Sequence, residues 1–359
     1  GGSAITYYTV TSNVGGLTAT GGASPITITG LTNGQAYTFT VTATNSVGTS
    51  SPSSTSNSVT PATVPNAPTG ISATGGNGQA TITFTPPADN GGDAISYYTV
   101  TSNIGGFVVY GGASPIVVTG LSNGTTYTFT VTATNSVGTS TASGVSNSVI
   151  PATVPDAPTI GTATAGNGQA TITFTPPGSN GGSAISYYTV TSNVGGFTTY
   201  GPSSPLIVTG LTNGQAYTFT VTATNAAGTS TASSATSAVT PATIPDAPTG
   251  VSAVRGNGQA TITFSAPGSN GGSAITYYTV TSNVGGLTTY GASSPLIVTG
   301  LTNGLAYTFT VTATNAMGTS TASSASNSIS PATVPDAPVI GTATAGNGEA
   351  TITFTPGAS

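Results

Sequence analysis

The sequence repeats itself every ninety residues. Two adjacent tyrosines and one proline recur in constant register, at Tyr7-Tyr8, Tyr97-Tyr98, Tyr187-Tyr188 and Tyr277-Tyr278 and at Pro61, Pro151, Pro241 and Pro331. No insertion or deletion interrupts the period before about Thr355, so every copy keeps the same loop lengths. Solenoid repeats and propeller blades are shorter, at about 20 to 50 residues, whereas ninety residues can form a whole domain. The chain is therefore expected to be a row of near-identical domains.

Within one repeat, apolar side chains alternate with threonines. Residues 125–135 read TTYTFTVTATN and residues 79–85 read QATITFT, the pattern of half-buried antiparallel strands. Further strand-like runs cover residues 94–102, 107–110 and 115–120, and Asn-Gly and Gly-Gly pairs typical of tight turns separate them. No run shows the period of a helix. Seven short strands in ninety residues predict an all-β fold made of two-sheet sandwiches.

Three runs of one repeat resemble a bacterial fibronectin type III domain. They are PDAPTIGTATAGNGQATITFTPP (155–177), NGGSAISYYTVTS (180–192) and LTNGQAYTFTVTATNAAGTS (211–230), and the resemblance extends along the whole chain. It implies tandem seven-stranded immunoglobulin-like sandwiches of a bacterial or archaeal extracellular repeat protein.

The resemblance also implies roles for two sets of aromatic residues. Phenylalanine stands where the family usually has a core tryptophan on strand B, at Phe84, Phe174, Phe264 and Phe354. A tyrosine follows six residues after a leucine at the corner between strands E and F, at Tyr37, Tyr127, Tyr217 and Tyr307. In the family reading, the hydroxyl of each corner tyrosine is hydrogen-bonded to the main chain.

The proline positions define the expected domains. Residues 61–150, 151–240 and 241–330 are complete repeats, residues 1–60 hold only strands C to G, and residues 331–359 hold only strands A and B. Each linker packs two prolines into a segment such as VPDAP (154–158), which is stiff. We therefore expect a rod to which each domain adds about 35 to 40 Å.

The two partial domains are complementary in sequence. Reading TITFTPGAS (351–359) into GGSAITYY (1–8) nearly reproduces residues 171–188. We expect the tail of one segment to complete the head of the next along a fibre, with Ile352, Phe354, Ile5 and Tyr8 at the junction. Two explanations remain open: a repeating segment of a longer polypeptide, or separate subunits joined by strand complementation.

The composition excludes most chemistry. The 359 residues include one Lys or Arg, six Asp or Glu, no His and no Cys, so there is no Ser-His or Cys-His relay and no imidazole or thiolate metal site. We predict no catalytic activity, no cofactor and no bound metal. Nucleic acid is not an expected partner, because the single cation, Arg255, cannot neutralise a phosphate backbone. No apolar run reaches the roughly 20 residues of a membrane span.

One loop contains two nearby carboxylates, Asp89 and Asp93. They could hold Ca²⁺ weakly, but the equivalent loops at residues 179–183 and 269–273 have serine at both positions. A polar turn is the preferred interpretation.

The first tyrosine of each pair is the candidate contact surface. Alternation places the second tyrosine in the core and the first on the outer face, at Tyr7, Tyr97, Tyr187 and Tyr277. Tyrosine is enriched in interfaces and can stack on sugar rings. The alternative is that each packs against a threonine ladder on the neighbouring strand.

These observations predict a non-catalytic structural segment of an extracellular fibre, filament or cell-surface stalk. The expected partner is the protein itself, head to tail, with lateral or helical association as a further expectation because a nearly uncharged surface repels its neighbours little. Two alternatives remain: an adhesin for glycans or surfaces, and a spacer within a secreted polysaccharide-degrading enzyme.

Overall fold

The computed structural model describes residues 2–358, whose regular elements are all β-strands. None of these residues belongs to a helix able to cross a bilayer. The chain divides into two compact units inside the third repeat: the first runs to Asp156 and includes residues 179–185 and 224–229, and the second holds the remainder. The repeats are therefore described one at a time.

The first two repeats show what a partial and a complete domain look like. The strands of the partial first repeat are β1 (Ile5–Ser12), β2 (Thr18–Gly21) and β3 (Phe39–Asn45). Those of the second repeat are β4 (Thr69–Gly76), β5 (Gln79–Thr85), β6 (Tyr97–Ser102), β7 (Val108–Gly111), β8 (Ile116–Thr119) and β9 (Phe129–Thr134). The first repeat forms one sheet, in the order β2-β1-β3, whereas the second forms two antiparallel sheets, β4-β5-β8 and β7-β6-β9.

The later repeats follow the same plan. The third contains β10 (Thr159–Gly166), β11 (Gln169–Thr175), β12 (Tyr187–Ser192), β13 (Thr198–Gly201), β14 (Leu206–Thr209), β15 (Phe219–Asn225) and β16 (Gly228–Thr229). The fourth contains β17 (Thr249–Arg255), β18 (Gln259–Ser265), β19 (Tyr277–Ser282), β20 (Thr288–Gly291), β21 (Leu296–Thr299), β22 (Phe309–Asn315) and β23 (Gly318–Thr319). The final residues form the hairpin β24 (Val339–Ala345) and β25 (Ala350–Thr355).

Alternation along the strands builds each core. In the second repeat, Ile82 and Phe84 of β5 face Val100 of β6 and Val131 of β9, and all four are buried. The outward positions between them carry threonines. The all-β sandwich expected from the sequence is thus confirmed.

The predicted strand register is also confirmed. The three core phenylalanines, Phe84, Phe174 and Phe264, are 6 to 9% exposed, whereas the outward tyrosines Tyr97, Tyr187 and Tyr277 are 38 to 42% exposed.

The corner tyrosines are bonded as the family resemblance implies. The hydroxyl oxygen of Tyr127 accepts a hydrogen bond from the backbone N–H of Ser122, at 3.1 Å. Tyr37, Tyr217 and Tyr307 accept the equivalent bond from Thr32, Thr212 and Thr302. Each tyrosine therefore fixes the turn that precedes its own strand.

In the second repeat, residues 140–146 follow β9 and pair with it through serine side chains. The backbone N–H of Ser143 donates to the carbonyl of Val131, and its hydroxyl oxygen accepts from the Val131 N–H at 2.9 Å. Ser140 and Ser146 bond in the same way to Ala133 and Phe129. A serine at every third residue thus takes the place of regular backbone pairing between two strands. The serine hydroxyl oxygens accept hydrogen bonds from the buried backbone N–H groups of β9.

Candidate functional site

The structure places the predicted contact tyrosines on the outer face of each repeat. Tyr7, Tyr97, Tyr187 and Tyr277 are between 38 and 42% exposed. Tyr97 lies opposite Thr134 of β9, and Tyr277 lies opposite Thr314 of β22. The second tyrosine of each complete repeat is buried, at Tyr98, Tyr188 and Tyr278, and burial raises the pKa of Tyr98.

A further set of exposed tyrosines was not identified from the sequence. Tyr110, Tyr200 and Tyr290 are 67 to 78% exposed. The ring of Tyr110 meets that of Tyr97 edge to face, with centroids 5.7 Å apart, and Tyr200 meets Tyr187 at 6.4 Å. The signal was present in the run FVVY, because alternation there puts Val108 and Tyr110 on one face. The partial first repeat has Thr20 at the equivalent position.

Of the two carboxylates of the second repeat, Asp89 bonds within its own loop and Asp93 bonds the loop that follows β9. Asp89 Oδ1 accepts a hydrogen bond from the Gly91 N–H at 2.8 Å, and Asp93 Oδ2 accepts from the Ser136 N–H at 2.9 Å. Hydrogen bonds from the side chain and backbone of Ser136 lower the pKa of Asp93. Residues 2–358 contain no cluster of three or more His, Cys, Asp or Glu suited to a metal. The geometry fits a polar turn.

The linkers that begin at Pro61, Pro151 and Pro241 are each hydrogen-bonded to the domains on both sides. Between the first two repeats, the Pro61 carbonyl accepts from the N–H of Gly34, while the Thr63 N–H donates to the Gly91 carbonyl, both at 2.9 Å. Asn135 Nδ2 donates to the carbonyls of Thr63 and Asn90 at 2.8 and 3.0 Å. The same bonds recur ninety residues later at Pro151, Thr153 and Asn225, and again at Pro241, Thr243 and Asn315.

Glycine allows the two loops at this junction to touch. Gly92 has a φ of +83°, and a Cβ at this position would overlap the backbone of Asn33 and Gly34. Gly182 and Gly272 are in the same situation. The Gly-Gly pair that the sequence marks as a turn is therefore also the place where neighbouring domains meet backbone to backbone.

The inner face of the partial first repeat is open. Ile5 is 48% exposed and Val41 is 37% exposed, and Tyr8 is half-buried, whereas Val131, the equivalent of Val41, is fully buried. Residues 26–29 form no strand, although the same segment of the second repeat is β8. Since β8 pairs only with β5, a repeat that has no equivalent of β5 leaves residues 26–29 without a strand to pair with.

The final hairpin exposes the complementary face. Ile352 and Phe354 of β25 are 55 and 59% exposed. The structure of the single chain thus places all four residues of the expected junction on open surfaces of two partial domains.

These features define a class of protein: a tandem array of immunoglobulin-like sandwiches with bonded linkers. Residues 66–149, 156–239 and 246–329 each match the family model described as "Fibronectin type III domain". The matches span well over half of the sequence, and the chain belongs to the fibronectin type III family.

Among solved structures, the chain is similar to the FN1–FN3 domains of chicken CNTN1. The two share 18% sequence identity, with a TM-score of 0.27, over 74% of this chain and 99% of that one. No curated protein matches the sequence.

Proposed function

We propose that this chain is a non-catalytic structural segment of an extracellular fibre, filament or surface stalk, of the bacterial or archaeal kind that its sequence resembles. In this role, near-identical domains set a fixed distance between the parts of a larger assembly. The recurring junction carries the proposal: the linkers that begin at Pro61, Pro151 and Pro241 make the same hydrogen bonds to both of their neighbouring repeats.

The chemistry of the surface supports the same role. With one Lys or Arg in 359 residues, the segment offers trypsin-like proteases a single cleavage site, and salt has few ion pairs to screen. Such a surface suits a protein exposed to variable salt and to proteases. The absence of His and Cys from the sequence leaves no side chain that titrates near neutral pH.

Removal of one whole repeat tests the spacer role. Deleting residues 151–240 joins Ile150 to Pro241, whose carbonyl can accept from Gly124 as the Pro151 carbonyl does. We expect the shortened chain to stay folded and its maximum dimension, measured by small-angle X-ray scattering, to fall by about 35 to 40 Å. Deleting residues 151–195, half a repeat, is the control and should give a misfolded chain. An unchanged maximum dimension after the whole-repeat deletion would contradict the proposal.

The paired tyrosines favour glycan binding as a second candidate function. Tyr97 and Tyr110 form an exposed edge-to-face pair, and aromatic rings with polar hydroxyls suit a neutral sugar. We expect a Tyr97→Ala, Tyr110→Ala variant to lose about half or more of any glycan-array signal, because the Tyr187–Tyr200 pair remains. Tyr7→Ala is the matched control, since Tyr7 has Thr20 instead of a second ring. An unchanged array signal in the double variant argues against the adhesin.

A further inference from the structure

The inner face of β1 and β3 in the first repeat is open, whereas complete repeats carry a hairpin there. An open groove of about 490 Å³ is lined by Tyr8, Val10, Ser24, Ile26 and Val41, among others. In the second repeat, the equivalent inner face is covered by β4 and β5 and lies in the core. The groove is therefore equivalent in position to a sheet-to-sheet interface that the chain itself forms in its three complete repeats.

The groove retains the two contacts that hold a phenylalanine in complete repeats. In the second repeat, the ring of Phe84 lies 4.8 Å from the ring of Tyr98, and the Phe84 N–H donates to Ser114 Oγ at 3.0 Å. The residues ninety positions earlier are Tyr8 and Ser24, and both line the groove. The first repeat thus has both groups that bind a phenylalanine in complete repeats. Tyr8 offers its ring to the aromatic side chain, and Ser24 offers its hydroxyl oxygen to the backbone N–H.

The hairpin β24–β25 carries exposed apolar side chains that match this groove. Phe354 is 59% exposed while its equivalent Phe84 is 7% exposed, and Ile352 is 55% exposed while its equivalent Ile82 is fully buried. An isolated two-stranded hairpin is only marginally stable in water. Docking on a sheet without such a hairpin therefore stabilises it, because its apolar face is removed from water.

The first repeat also contains the asparagine that binds the turn of the hairpin in complete repeats. In the second repeat, Asn123 Oδ1 accepts from the Gly78 N–H at 2.8 Å, and Asn123 Nδ2 donates to Asn77 Oδ1. The equivalent residues are Asn33 in the first repeat and Asn347 and Gly348 in the final hairpin. The contacts of the phenylalanine and those of the turn therefore predict the same register of the hairpin against the first repeat.

We propose that the inner face of β1 and β3 binds the β24–β25 hairpin of a second copy of this chain. Ile352 pairs with Ile26 and Glu349 with Thr29, as Ile82 pairs with Ile116 and Gln79 with Thr119 in the second repeat. Residues 26–29 then gain the strand partner that they lack, and both apolar faces become one core. The inference rests on the proposed structural role in naming another segment as the partner, whereas the spacer role needs no assembly.

Two variants separate the donor from the acceptor. Phe354→Asp disables the hairpin without touching a packed core, because Phe354 is exposed in the single chain. Val41→Asp disables the receiving face. We expect the unaltered chain to form head-to-tail oligomers whose mass grows with concentration in analytical ultracentrifugation, and each variant alone to associate at least about a hundredfold more weakly, because docking would bury an unpaired carboxylate. A mixture of the two variants should give a 1:1 dimer and nothing larger.

Two further chains complete the test. Thr355→Asp adds the same charge to the opposite face of β25, where Thr85 is exposed in the second repeat, and should associate like the unaltered chain. A chain with residues 331–358 also placed ahead of residue 2 should fill its own first repeat and stop accepting hairpins. An unaltered chain that stays monomeric at all concentrations, or association that survives Phe354→Asp, overturns the proposal. Scattering from the Phe354→Asp chain with and without residues 151–240 still tests the spacer role alone.

Discussion

Truncating Phe174 to alanine is expected to destabilise the third repeat by roughly 3 to 5 kcal/mol. The side chain is 6% exposed, and its ring lies 4.9 Å from that of Tyr188. Its removal leaves a cavity between the two sheets that the surrounding strands cannot fill by collapsing. Amide hydrogen exchange of β11 and β12 is the measurement, and protection should fall by roughly two to four powers of ten.

The chain supplies its own control for this prediction. Phe354 occupies the same sequence position in the repeat, but it is 59% exposed. At concentrations where the chain is monomeric, Phe354→Ala should change the exchange protection of the other repeats by less than the equivalent of about 0.5 kcal/mol. Similar losses at both positions would show that the effect follows residue type and not burial.

Replacing Asn135 with alanine is expected to destabilise the second repeat by roughly 3 kcal/mol. The buried amide donates to the carbonyls of Thr63 and Asn90 and accepts from the N–H groups of Val137 and Gly138. Alanine leaves these partners without their bonds and frees the linker from the loop. Exchange of the Thr63 N–H, which donates to the Gly91 carbonyl, should therefore accelerate more than that of the β5 amides.

Asn45 is the matched control for the junction. Asn45 accepts the same bonds from Val47 and Gly48 of its own loop, but among residues 2–358 its Nδ2 donates only to the Ser3 carbonyl, at 3.4 Å. Asn45→Ala should cost only about 1 kcal/mol. Equal effects at both positions would mean that the linker bonds add nothing to stability.

Much of the candidate site followed from alternation alone. The outward direction of Tyr97 and the inward direction of Tyr98 come from the period of two along β6, and a one-residue shift would have reversed both. The partner Tyr110 could not be assigned in the same way. Its contact with Tyr97 depends on how β7 registers against β6, which pairs Thr99 with Tyr110 and Val100 with Val109, and register is a property of two segments together.

The repeat, the sandwich fold and the core positions were all predictable from the sequence, because period-two alternation with invariant loop lengths allows few other ways to bury the apolar face. The hydrogen bonds of residues 140–146 to β9 and those of the linkers were visible only in the folded chain. Ser143 completes the donors of β9, and Asn135 bonds a linker 72 residues away. Ser143 lies in a stretch without apolar alternation, and Asn135 lies at the end of a strand pattern. Their importance comes from the buried backbone groups that they meet, and those groups are brought to them only by the folded chain.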